Sequence, residues 1–283
     1  MAASSNPHIS HFGEEFDAEK SSQYRMAIQF TLDGLSYALL DSKTKTLVAL
    51  ESFESDYFSS INDFFHTLEQ ALELKGLNDK DFQSVTCLFG NRYSTLVPET
   101  IFSESDQAKY IDFSFQIPEN YAIGAERIAK AGCINVHAFP KALKDKLLNK
   151  WKNTQFSHTS TIFIDEAMNR RQETEININV RNHDFDMAIC KNGRLHFFNN
   201  FKFVTKEDFA YFLLFAMEQN GLSGQDTPIR FSGLIRPATD IIGLCSRYIR
   251  DIHFVEIPRA LQISEALKEV PFQYYHIHYQ ALR

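Results

Sequence analysis

The chain is poor in the residues that make loops, with 11 glycines and 8 prolines in 283 positions. That excludes collagen-like and low-complexity linker architectures and leaves a globular chain, one large domain or two ordinary ones. Cysteine is sparse. Cys87, Cys133, Cys190 and Cys245 lie far apart among apolar neighbours, and no pair has the spacing of a zinc or redox motif. They read as buried thiols. No apolar run approaches the roughly 20 residues of a membrane span. The opening MAASSNPHIS lacks a basic head and an apolar signal core, so a cytoplasmic address is expected. Basic charge is not in excess: 29 Lys and Arg face 36 Asp and Glu, for a formal charge of -7. That argues against a nucleic-acid face. Neither a Gly-x-Ser-x-Gly elbow nor a Gly-x-x-x-x-Gly-Lys loop occurs. Phenylalanine is what abounds, 26 residues beside 11 Tyr and one Trp. The core should be aromatic.

Residues 1–23 are polar and without period, and are expected to form a flexible tail, with order beginning near Tyr24. Residues 26–31, 35–40 and 47–53 then read as three strands joined by polar turns. A helix follows, with Ser60 and Asp63 as a capping-box start. Ile61, Phe64, Phe65, Leu68 and Leu72 form its apolar stripe, and Gly76 its stop. The same order returns. Residues 175–180, 185–190 and 195–200 read as strands, the last two joined by Lys191-Asn192-Gly193. Thr205 with Asp208 caps a helix carrying Phe209, Phe212, Leu213, Ala216 and Met217, stopped by Gly221. The two helices are 145 positions apart, and at that offset Asp63, Phe64, Leu68, Ala71 and Leu77 fall on Asp208, Phe209, Leu213, Ala216 and Leu222.

Residues 134–140 are echoed by residues 252–258. Each run enters a basic-Ala-Leu helix start, Lys141-Ala142-Leu143 and Arg259-Ala260-Leu261. Here the offset is 118, which places about 27 extra residues of the first half at positions 91–121. Agreement of strand order, helix length, cap type and junction predicts a duplication. The expected organisation is α/β, with a first lobe over residues 24–157 and a second, carrying a C-terminal segment, over residues 158–283. A cleft is expected between them.

A β-β-β-α-β-α-β unit used twice resembles the actin-like ATPase fold, two duplicated RNase H-like lobes with mixed sheets. Narrower segments are similar to an uncharacterised bacterial family, the domain of unknown function 3822, within that fold group. They are Ser94-Thr95-Leu96-Val97-Pro98, Asn200-Phe201, Asp208-Phe209-Ala210-Tyr211-Phe212-Leu213-Leu214-Phe215, and Ser232-Gly233. The resemblance covers residues 24–283 and implies a fold, with no mechanism attached.

Active members of the fold bind ATP between the lobes, through an Asp-x-Gly turn in the first hairpin of each lobe and a Gly-Gly pair beside the adenosine. The resemblance puts Gln29 and Thr31 at the first Asp-x-Gly station, with Asp33-Gly34 further along where a hairpin turn wants them for structural reasons. A slip of that alignment would put Asp33 in the carboxylate role. Asn179 and Arg181 occupy the second station, with Asp184 and Asp186 in mid-hairpin, and Ser232-Gly233 supplies one glycine of the pair. An amide cannot give the negative charge a hard cation requires, and a Cβ intrudes where backbone must approach phosphate. Arg181 offers an anion charge alone. No catalytic residue, metal ligand or cofactor is therefore expected.

His276 and His278 would share one face of a strand. Two imidazoles without a visible third ligand read as the polar tips of an aromatic terminal segment. The lysines of residues 141–152, with Leu143, Leu147, Leu148 and Trp151, read as an amphipathic helix with a solvated face. The helix from Asp208 to Asn220 is apolar nearly all round. Its back therefore needs cover from the other lobe, from the C-terminal segment or from another protein chain. These features point to a non-catalytic actin-like scaffold or protein-binding component in the cytoplasm. A protein partner or self-association is expected, with no nucleic acid, no membrane span and no nucleotide. The alternative is an ATP-binding protein, ATPase or kinase with unorthodox phosphate loops.

Overall fold

Asn192 and Gly193 both take left-handed backbone (φ 50° and 71°), the conformation a two-residue hairpin loop needs to match strand twist. Chemistry of this local kind sets the elements of the computed structural model, which describes residues 7–31, 34–54, 61–169 and 173–283. Ser60 and Asp33 lie outside the described residues. The chain divides into two units. One comprises Met1–Ile162, Pro258–Val270 and His278–Arg283, the other Phe163–Ile257 and Pro271–Ile277.

The first unit contains β1 (Ile9–Phe12), β2 (Tyr24–Thr31), β3 (Gly34–Asp41), β4 (Thr46–Glu54), α1 (Ile61–Leu74) and β5 (Ser84–Gly90). It continues with β6 (Ser94–Pro98), α2 (Gln107–Asp112), β7 (Tyr121–Ile128), β8 (Cys133–Pro140), α3 (Lys141–Lys150) and β9 (Gln155–His158). Its main sheet runs β1-β4-β3-β2-β5-β9, and Gln262–Ile263 adds to β4. β2, β5 and β9 are parallel, whereas β1 to β4 pair antiparallel. A separate antiparallel sheet runs β6-β8-β7.

The helix α4 (Thr159–Met168) leads on to β10 (Thr174–Val180), β11 (Asp184–Lys191), β12 (Arg194–Lys202), α5 (Lys206–Gln219), β13 (Ile229–Gly233), α6 (Asp240–Cys245) and β14 (Ile252–Phe254). The sheet of the second unit runs β12-β11-β10-β13-β14. Leaving out β1, the two main sheets have one order: three antiparallel strands, then two parallel ones. That is the duplicated RNase H-like architecture with mixed sheets. Each unit has its own aromatic-rich core, one around Tyr24, Phe30, Phe65 and Phe89, the other around Phe185, Phe209 and Phe231. All four cysteines are buried and free.

Three expectations change. Residues 9–12, assigned to the tail, form β1 on the edge of β4, and Ala18–Gln23 forms a 3-10 helix. A strand of four residues is too short to show a period, and its partner supplies the pairing. Residues 133–140 form β8 in the smaller sheet, so the counterpart of β14 by strand order is β9. Arg259-Ala260 forms a turn, not a helix start. The echo at offset 118 is a likeness of composition, and the material added to the first unit extends past residue 121 to Pro140. Finally, His276 begins a helix, α7 (His276–Ala281), in place of the expected strand. Both its histidines are buried, 3% exposed each.

Candidate functional site

In open α/β sheets, ligands sit at the carboxyl ends of the parallel strands. In the second unit those ends are Val180 and Gly233, whose strands β10 and β13 pair Asn179 with Ser232 and Val180 with Gly233. The structure thus brings together four residues singled out from the sequence, Asn179, Arg181, Ser232 and Gly233. Ser232 Oγ donates to Asn179 Oδ1 at 3.1 Å, and both side chains are buried. Gly233 has φ 86°, and a Cβ there would lie 2.1 Å from the carbonyl oxygen of Val180. The glycine is required because two backbones meet at this point, and Leu234 N–H closes the junction on Val180 O at 2.8 Å.

Arg181 follows directly. Its guanidinium gives Asp186 two hydrogen bonds, Nη1 to Oδ2 at 2.7 Å and Nη2 to Oδ1 at 3.0 Å, while Nε donates to Asp184. Asn200 Nδ2 adds a third bond to Asp186 Oδ1, at 3.0 Å. Asp186 is 1% exposed and the Arg181 side chain 10%. Burial alone would lower the pKa of Arg181, but the charges of Asp186 and Asp184 outweigh it and hold the guanidinium protonated, well above its ordinary value. Each of its three nitrogens donates to a carboxylate of its own hairpin, so the cation that the sequence offered to an anion is neutralised in place.

The first unit treats its station differently. Gln29 lies within β2, paired with Ser36 and Leu88. Thr31 ends the strand and its Oγ1 donates to Gly34 O at 3.2 Å. Gly34 opens β3 where a Cβ would meet Phe53 O at 2.7 Å, so close strand approach accounts for it. The Thr31 side chain therefore serves the hairpin.

A second polar cluster in this unit carries no signature in the sequence. Glu126 on β7 accepts from Ser157 Oγ (2.7 Å) and from His158 N–H (3.0 Å), and His137 Nε2 on β8 lies 3.4 Å away. His158 Nδ1 accepts from Ser160 N–H at 3.2 Å. Its proton therefore sits on Nε2, which faces Asn91 O at 3.1 Å. Burial pushes the pKa of His137 down, against the opposing pull of Glu126. This network ties the smaller sheet to β9, and it joins residues widely spaced in the chain. Each looked like an ordinary polar residue in its own strand. Among the described residues no group of three or more His, Cys, Asp or Glu could hold a metal ion. No helix of the described residues is long and apolar enough to cross a membrane.

Comparison with solved structures agrees with this fold. A Bacteroides thetaiotaomicron protein with actin-like ATPase fold and unknown function superposes with a TM-score of 0.74 at 18% identity, over 85% of this chain and 93% of that one. The PilM–PilN type IV pilus biogenesis complex superposes with a TM-score of 0.60 at 9% identity, over 91% and 97%. At these identities the likeness is one of fold. No curated protein sequence matches. The family model for protein of unknown function DUF3822 matches residues 13–252, most of the chain, and the chain belongs to that family.

Proposed function

We propose that this chain is a non-catalytic member of the actin-like fold, a scaffold that binds another protein and does not hydrolyse ATP. One observation carries the reading: Arg181, at the second Asp-x-Gly station, spends its guanidinium on Asp184 and Asp186. A phosphate approaching there would meet an ion group that holds two carboxylates and one cation. Mg²⁺ bound with a nucleotide needs carboxylate or phosphate oxygens to ligate it, and both Asp186 oxygens already accept hydrogen bonds within the chain. The stations themselves hold Gln29 and Asn179, amides without charge. Binding of a protein is also a use suggested by the fold's occurrence in a PilM–PilN complex.

The test is thermal melting with and without Mg-ATP, together with phosphate release. A ligand bound to the native state raises the melting midpoint by mass action. The expected result is an unchanged midpoint and no release. Turnover abolished by Gln29→Ala or Asp33→Ala would overturn the scaffold reading and install the ATPase in its place.

A further inference from the structure

The back of α5 is bare. Tyr211 is 61% exposed and Phe215 45%, with their rings stacked 5.9 Å apart along one face of the helix. At the offset of 145 the same face of α1 carries His66 and Gln70, both exposed. The aromatic face thus belongs to the second unit alone of these two helices. It is continuous with the sheet edge, because Tyr211 packs edge-on against Phe212 (5.4 Å) and Phe212 stacks on Phe201 of β12 (5.3 Å). Phe201 in turn stacks on Phe197, at 6.3 Å.

β12 is itself an open edge. Among the described residues it pairs with β11 and with no other strand, over nine residues without a proline. Long open edges are rare in stable monomers, since their unpaired backbone groups template another strand. The strand that holds the same place in the first unit, β4, is covered: β1 lies antiparallel on it, Ile9 opposite Ser52 and Phe12 opposite Ala49. The fold therefore shows within one chain what this edge accepts, a short extended segment.

Charge selects among occupants. β12 carries Arg194 and Lys202 at its two ends, both exposed, with no acidic residue between them. Neither has an ion-pair partner among the described residues. Antiparallel pairing of β12 with a second copy of itself would set Arg194 against Lys202 and repel. Glu207 and Glu218, both exposed, flank the rings along α5, which disfavours acidic side chains over the middle of the patch.

We propose that β12 and the outer face of α5 form a docking site for an extended segment of another protein, taken up as a sixth strand of this sheet. Its ends are acidic, facing Arg194 and Lys202, and its middle is apolar on the side facing Tyr211 and Phe215. Backbone pairing provides the affinity and the alternating side chains the specificity. This rests on the scaffold reading and names the site that reading lacks.

The test pans a random decapeptide library displayed on phage against the full chain, then titrates the recovered sequences as synthetic peptides. Peptides with acidic ends and an apolar middle are expected, and bound peptide should slow amide hydrogen exchange in β12. Affinity should fall at least tenfold in Arg194→Glu/Lys202→Glu and, independently, in Tyr211→Ser/Phe215→Ser. All four positions are exposed, so the variants should melt like the parent. Peptides that bind both variants unchanged, or leave β12 exchange unaltered, would overturn the proposal, as would a library that yields no binder. A dimer in sedimentation that the same substitutions dissolve would assign the edge to a second copy instead. A melting shift with Mg-ATP sinks the scaffold reading while leaving the peptide result intact, so the two can fail separately.

Discussion

Arg181 and Asp186 face each other across the first turn of the second unit's hairpin in a two-point pair, Nη1 to Oδ2 at 2.7 Å and Nη2 to Oδ1 at 3.0 Å. Two parallel bonds between planar groups fix both side chains, and burial makes each partner depend on the other.

Removing one partner of such a pair leaves the other charge buried. Asp186→Ala should therefore destabilise the protein by about 3–5 kcal/mol in urea titration, as buried ion pairs do when halved. Asp184 remains beside the guanidinium, so the lower end is expected. A loss under about 1 kcal/mol would mean that Arg181 finds solvent once its partner is gone.

The cap of α5 is reciprocal. Thr205 Oγ1 accepts from Asp208 N–H at 3.1 Å, and Asp208 Oδ2 accepts from Thr205 N–H at 2.9 Å. Hydrogen bonds from the Thr205 and Val204 backbone hold the Asp208 carboxyl below its ordinary pKa. Thr205→Ala should cost about 1 kcal/mol in thermal or urea unfolding, and Thr205→Ser close to nothing, since serine keeps the acceptor. Equal losses in the two variants would point to the methyl group rather than the cap.

His278 gives the protein an acid limb. It is buried with its Nε2 2.8 Å from Ser36 Oγ, and burial takes its pKa from 6.5 down to about 4. The folded value lies below the unfolded one, so the unfolded chain binds the extra proton first as pH falls. Stability is then complete above pH 6.5 and declines from there to about pH 4. The decline amounts to at most ~3 kcal/mol. Unfolding free energies measured across that window should show the slope, and His278→Gln should flatten most of it. His137, whose pKa burial shifts the same way, accounts for part of the remaining slope, and Glu15, whose carboxyl is held below its ordinary value by hydrogen bonds, adds to its acid end. A slope untouched by the substitution would place the acid sensitivity elsewhere.

Local rules made much of the fold legible from sequence. The Asn192-Gly193 turn, the glycine stops at Gly76 and Gly221 (φ 68° and 64°) and the Thr205–Asp208 cap each depend on neighbours a few positions away. Apolar runs between polar turns then located both three-strand runs, and their repetition in order carried the duplicated architecture. Where pairing came from a distant strand, sequence was silent. β1 is held by β4, some forty positions on, and β8 resembles β14 in composition but pairs in another sheet.

The candidate site divides in the same way. The resemblance picked out Asn179, Arg181, Ser232 and Gly233, and their places along strands and turns are local quantities that the sequence carries. Tertiary structure decided what they do. Whether Arg181 is a free cation or a neutralised one depends on Asp184, Asp186 and Asn200 folding back onto it. Whether Gly233 leaves room for a phosphate or for Val180 depends on the parallel pairing of β10 with β13. The exposure of Tyr211 and Phe215 follows the same logic. A helix apolar nearly all round states that its back wants cover, and only the packed structure shows Tyr211 and Phe215 left exposed.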